Sequence, residues 1–179
     1  MKLERENIIS VLENAFSYIV VFAMFAYGAG KIIQFDGAIE INKTVSELTG
    51  MQLMWAFYGY SKPFVITLGL LEIFGGILLL LKRTRLIGCL LVTSILVNVI
   101  LQDIFYGVHF GALKAAIIYQ VLILIILWFN RAKLVQCIKI LTSYQAVAVS
   151  KKLFFIKIIF SVLLFALLRV LEFYVTIRW

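Results

Sequence analysis

A single proline, Pro63, and eleven glycines leave this chain of 179 residues without the composition of a long disordered linker. Charge is also scarce: 15% of the residues are charged, against about 25% in a soluble domain. Two cysteines, Cys89 and Cys137, form no CxxC pair, so neither a redox dithiol nor a disulfide framework is expected. They read as small apolar fillers. The one histidine, His109, stands beside Asp103 at a turn, which is too few ligands for a metal site. There is no phosphate-binding loop of the GxxxxGK type, no HExxH, no nucleophile elbow and no haem-attachment motif. A catalytic role is therefore not expected from any motif.

What is abundant is apolar surface, at 64% of the residues. That excess needs lipid as its solvent. Five segments approach the roughly 20 residues that a helix needs to cross a bilayer, at about 8–30, 63–81, 86–105, 112–129 and 153–175. The expected fold is an all-α integral membrane protein. Glu4, Glu6 and Glu13 interrupt the pattern of a cleaved leader, so the first segment is expected to be a retained helix.

The formal charge of +8 does not point to nucleic acid, because the basic residues sit in short connections between apolar runs. They set a topology instead. Lys2, Arg5, Lys82, Arg83, Arg85, Arg131, Lys133, Lys139, Lys151 and Lys152 fall on one side. Lys31, Lys43, Lys62, Lys114 and Arg178 fall on the other, where Asp36, Glu40 and Glu47 leave the first loop near neutral. Ten against five predicts a cytoplasmic N-terminus, and the richness in Ile, Lys and Phe suggests an AT-rich genome and a bacterial inner membrane. The outer loop, residues 31–62, is expected to carry a short interfacial helix starting at Ser46-Glu47, rich in Trp and Tyr. Residues 134–150, broken by Lys139, Thr142, Ser143, Tyr144 and Gln145, are expected to lie on the inner surface.

Few polar residues reach membrane depth. Glu72 has no other charge within nine residues on either side. A carboxylate there is kept for a partner, a ligand or a proton. Gly69, Glu72 and Gly76 share a helix face, so Glu72 is expected to look into the bundle. Ser94, Asn98 and Gln102 recur every four residues on the third span, Gln120 lies on the fourth, and Ser161, Phe165, Arg169 and Glu172 mark a face of the fifth. Counted from the outer ends, Glu72, Asn98 and Gln120 all lie roughly 10–14 Å deep. They are expected to form one buried polar pocket, with Arg169 at its rim.

Two stretches carry a family resemblance. Tyr27-Gly28-Ala29-Gly30-Lys31-Ile32-Ile33-Gln34-Phe35-Asp36-Gly37 resembles the end of the first helix of DoxX-like membrane proteins, a small-residue turn followed by a lysine, but lacks the proline of that turn. Gly69-Leu70-Leu71-Glu72-Ile73-Phe74-Gly75-Gly76 with the basic turn Lys82-Arg83-Thr84-Arg85 is similar to that family's glutamate-glycine helix. The resemblance spans about residues 17–130 and carries over Gly28, Lys31, Glu72 and Gly76. It implies a four-helix membrane core over 1–135, to which 136–179 adds an inner segment and a fifth transmembrane helix. It also implies a link to quinone-coupled oxidoreductases, electron-transfer maturation or membrane-protein chaperoning. Two readings follow. One is a non-catalytic accessory or assembly subunit for another protein in the same bilayer. The other is a quinone- or lipid-binding subunit of a membrane oxidoreductase with Glu72 as proton carrier; its electrons come from a partner, since no resident cofactor is evident.

Overall fold

The structure is a computed structural model that describes residues 2–38, 42–143 and 150–177. Glu40, Tyr144, Gln145 and Arg178 lie outside the described residues. Among the described residues the chain is all-helical. The helices are α1 (Lys2–Gln34), α2 (Gly50–Tyr60), α3 (Lys62–Leu80), α4 (Arg85–Tyr106), α5 (Phe110–Phe129), α6 (Arg131–Thr142) and α7 (Lys151–Ile177). Five of these, α1, α3, α4, α5 and α7, are long and apolar enough to cross a membrane. This is a multi-pass membrane protein.

The chain divides into two compact units, Met1–Cys137 and Ile138–Trp179. In the first, α1, α3, α4 and α5 each touch two neighbours, so they form a closed ring. Consecutive members run antiparallel because the α3–α4 and α4–α5 connections are short turns; Gly107 makes the second with φ of 58°. Val20, Ala23 and Met24 of α1, Leu79 of α3, Val92 and Leu96 of α4, and Ile123 and Ile126 of α5 meet in the buried core.

α1 is longer than its apolar run suggests. Its 33 residues reach about 50 Å, well beyond a hydrocarbon core of about 30 Å. The small-residue turn expected at Gly28-Ala29-Gly30 is not a turn. The helix continues to Gln34, and the chain reverses at Phe35–Ala38 with Gly37 at φ 72°. Two glycines cost a helix about 1 kcal/mol each, but tertiary packing overrides that propensity here. Gly28 lies against the Gly69 carbonyl so closely that an added Cβ would stand 2.6 Å from that oxygen. Gly69 and Gly88 make similar approaches to Gly28 and to the Leu78–Leu79 backbone. Glycine is what lets helices in lipid come this close.

The first loop does carry a short helix, but it starts later than Ser46-Glu47. Val45–Glu47 form a single 3-10 turn. α2 begins at Gly50 because Thr49 and Gln52 form a capping box: Gln52 N donates to Thr49 Oγ1 and Thr49 N donates to Gln52 Oε1. Met54 and Tyr58 then bury against Phe35, Val65 and Val108. α2 therefore covers one end of the ring. Thr49→Ala is expected to weaken α2 by about 1 kcal/mol. Hydrogen exchange should speed up at Gly50–Tyr60 and stay unchanged in α3 and α4; uniform protection across the variant would contradict this role for the cap.

The opposite end of the ring is tied by a second polar set. Arg85, only 5% exposed, donates to the Leu79 carbonyl (3.3 Å) and to Asn14 Oδ1 (3.0 Å), and stands 3.9 Å from Glu13. Asn130 Nδ2 donates to Glu13, and Lys133 donates to Asn130 Oδ1. The last residue of the Lys82–Arg85 turn is thus buried and paired.

In the second unit, α7 carries Leu, Ile, Phe and Val on every face, as suits a helix surrounded by apolar matter. Arg169 and Glu172, three residues apart, form an ion pair on it.

Candidate site in the four-helix unit

Glu72 is 4% exposed and faces into the first unit. Its partner is Lys31, whose Nζ lies 3.1 Å from Oε1. The pairing follows from helix geometry. Side chains lean toward the N-terminus of their own helix. α1 and α3 are antiparallel, so Lys31 leans into the ring and Glu72 leans toward the α2 end. The two heads meet one turn from the Gly28–Gly69 crossing. The residues of the family resemblance, Gly28, Lys31, Glu72 and Gly76, thus lie along one helix contact, with Gly76 packed on Met24 and Phe25.

This ion pair forms part of the wall of a cavity of about 350 Å³, closed at one end by α2. Tyr27, Trp55, Tyr58 and Tyr119 supply aromatic wall, and Leu68, Leu96, Val99 and Ala112 supply aliphatic wall. Besides the ion pair, the polar lining comes from Gln34 on α1, from Asn98, Gln102 and Asp103 on α4 and from His109. A relay runs across the top: Tyr58 Oη donates to Gln102 Oε1 (2.8 Å), and Gln102 Nε2 donates to Asn98 Oδ1 (2.9 Å). Burial pushes the Tyr58 phenol above its ordinary range, against a smaller opposing effect of the Gln102 bond, so at neutral pH Tyr58 is a neutral donor.

Glu72 and Asn98 line the same cavity. Gln120 sits elsewhere: it is not among the lining residues, and its Nε2 donates to Thr93 of α4 at 3.3 Å. Arg169 belongs to the second unit, where it pairs with Glu172. Ser94 turns its hydroxyl back to the Leu90 carbonyl, so the stripe on α4 contributes through Asn98 and Gln102.

Several site residues carried no separate signal in the sequence. Lys31 read as a loop charge because its helix was expected to end at Gly30. Had the helix been continued, Gly28 and Lys31 would have shown the same i, i+3 spacing as Gly69 and Glu72. Asp103 and His109 read as surface residues of a turn. Asp103 is instead 7% exposed and lines the cavity. His109 caps α5, its Nδ1 accepting from Gly111 N and Ala112 N at 3.2 Å each. Among the described residues no group of three His, Cys, Asp or Glu side chains could hold a metal ion.

No family model matches the chain, and no solved structure matches it. A relative is the uncharacterized protein YwoB of Bacillus subtilis (strain 168), 30% identical over 131 residues, which cover 72% of this chain and 83% of that protein.

Proposed function

The chain belongs to the family of the Bacillus subtilis protein YwoB, and on that footing we propose that it is a non-catalytic membrane protein that holds a small amphipathic ligand inside its four-helix unit. One observation carries this reading: the mostly buried Lys31–Glu72 pair opens onto a cavity of about 350 Å³, within the range of small-ligand sites. For packing alone an apolar pair of similar volume serves as well or better, because desolvating two charges offsets their attraction. A pair kept beside a cavity is better explained by what the cavity binds. A quinone or lipid with its head at Lys31 and Glu72 and its tail among Leu68, Leu96 and Val99 fits this site, with Glu72 available to carry a proton. The meeting of Gly28, Lys31, Glu72 and Gly76 supports the DoxX-like assignment. The Lys/Arg distribution supports a cytoplasmic N-terminus in a bacterial inner membrane, which puts α2 and the cavity on the outer side.

The second reading, an accessory or assembly subunit for another membrane protein, draws its support from α7, apolar on every face with one ion pair. It draws less from the glycines. Gly28, Gly69 and Gly88 are consumed by internal helix packing.

Native mass spectrometry of protein gently extracted from its own membrane separates the two. A small apolar ligand that Glu72→Leu removes is the expected result. A co-purifying membrane protein lost by the same change would favour the accessory reading. A bare monomer, indifferent to the substitution, would remove both.

A further inference from the structure

We propose that the head of the cavity's ligand is a protonated amine, an inference that rests on the ligand-binding reading above and narrows its chemistry. Two carboxylate oxygens in the cavity lining have no donor. Glu72 Oε1 takes the Lys31 ammonium, but Glu72 Oε2 is buried with no hydrogen-bond partner. Asp103 Oδ2 is buried in the same condition, on a side chain more than nine-tenths enclosed. Buried polar atoms without partners are rare and call for a donor. Charge points the same way. Lys31 is the one lysine or arginine of the lining, against the carboxyl groups of Glu72 and Asp103.

The lining therefore sets two carboxyl groups against one ammonium, with two unmatched acceptor oxygens and the aromatic rings of Tyr27, Trp55, Tyr58 and Tyr119 around them. A monocation with N–H donors and an apolar body complements each of these features. A neutral alcohol supplies a donor and leaves the charge uncompensated. An oxidised quinone supplies only acceptors, so of the ligand classes named above this inference sets the quinone aside and keeps an amphipathic amine.

The test uses the full-length protein in nanodiscs of zwitterionic phospholipid at pH 7, carrying Trp128→Phe and Trp179→Phe so that fluorescence reports Trp55 in the cavity wall. The probes are 4-phenylbutylamine and 4-phenyl-1-butanol, which share shape and differ in charge. The amine is expected to bind at least about tenfold more tightly than the alcohol. Glu72→Gln and Asp103→Asn should each erase most of that preference. Ala112→Phe, which fills the cavity without touching a carboxylate, should abolish the response to both probes. This third variant decides the matter if the first two do not fold. Equal binding of amine and alcohol would overturn the amine head and leave the ligand site standing. A preference for the amine that persists in Ala112→Phe would mark membrane partitioning and overturn it too. Silence of Trp55 toward both probes in the parent protein would overturn the site itself, and with it the reading on which this inference rests.

Discussion

Replacing Lys31 with methionine is expected to destabilise the four-helix unit by about 3–5 kcal/mol, because it leaves Glu72 buried and uncompensated. The side chains of the pair are 14% and 5% exposed, so little water reaches the orphaned carboxylate. A thermal melt in detergent should record a fall in midpoint on the order of 10 °C. The double variant Lys31→Met with Glu72→Leu is the informative partner. It removes both charges and fills the space with apolar atoms, so it should recover most of the loss. A single variant as stable as the parent would mean that Lys31 is not what neutralises Glu72.

Gly28 and Gly30 are expected to respond in opposite directions to the same substitution. Alanine at Gly28 places a Cβ 2.6 Å from the Gly69 carbonyl oxygen and 2.8 Å from Ile73 Cγ1. The side chain of Ile73 can yield, but the carbonyl belongs to a helix backbone and cannot. α1 and α3 must separate, at a cost of about 1–3 kcal/mol. Alanine at Gly30 meets nothing within 4 Å and gains helix propensity, so it should be neutral or stabilising by up to about 1 kcal/mol. Melting both variants side by side gives the comparison. Equal effects at the two positions would show that the crossing at Gly28 is not close.

The five spans were legible in the sequence because lipid demands a run of apolar residues, and that demand leaves little ambiguity. Their ends came out within a few residues, except for α1. There the propensity of glycine argued for a turn, and a contact 41 residues away in sequence, Gly69, argued for a helix and won. The inward aim of Glu72 was also legible, from the glycines that share its face. What it meets was not, because Lys31 comes from another helix and sequence spacing says nothing about how two helices are set side by side. The same limit placed Gln120 beside Asn98 by depth alone. Equal depth fixes height in the ring and leaves rotation free, and α5 is turned so that Gln120 reaches Thr93. Asp103 and His109 were hidden by being near a turn, where exposure is the usual expectation; Asp103 is nonetheless 7% exposed.

The order of synthesis gives the ion pairs another meaning. Two of the three charged residues buried in α3 and α4, Glu72 and Arg85, find their counter-charge in α1, at Lys31 and Glu13. α1 leaves the ribosome first. When α3 is made, the base that neutralises Glu72 already exists, 41 residues upstream and joined to it by the loop that becomes α2. The two helices can enter lipid as a hairpin with the charge already cancelled, which avoids the roughly 2.5–3.5 kcal/mol that a lone acid adds to insertion at a helix centre. Arg85 arrives next and finds Glu13 waiting at the other end. The length of α1, from Glu13 to Lys31 and beyond, is what allows one helix to receive both.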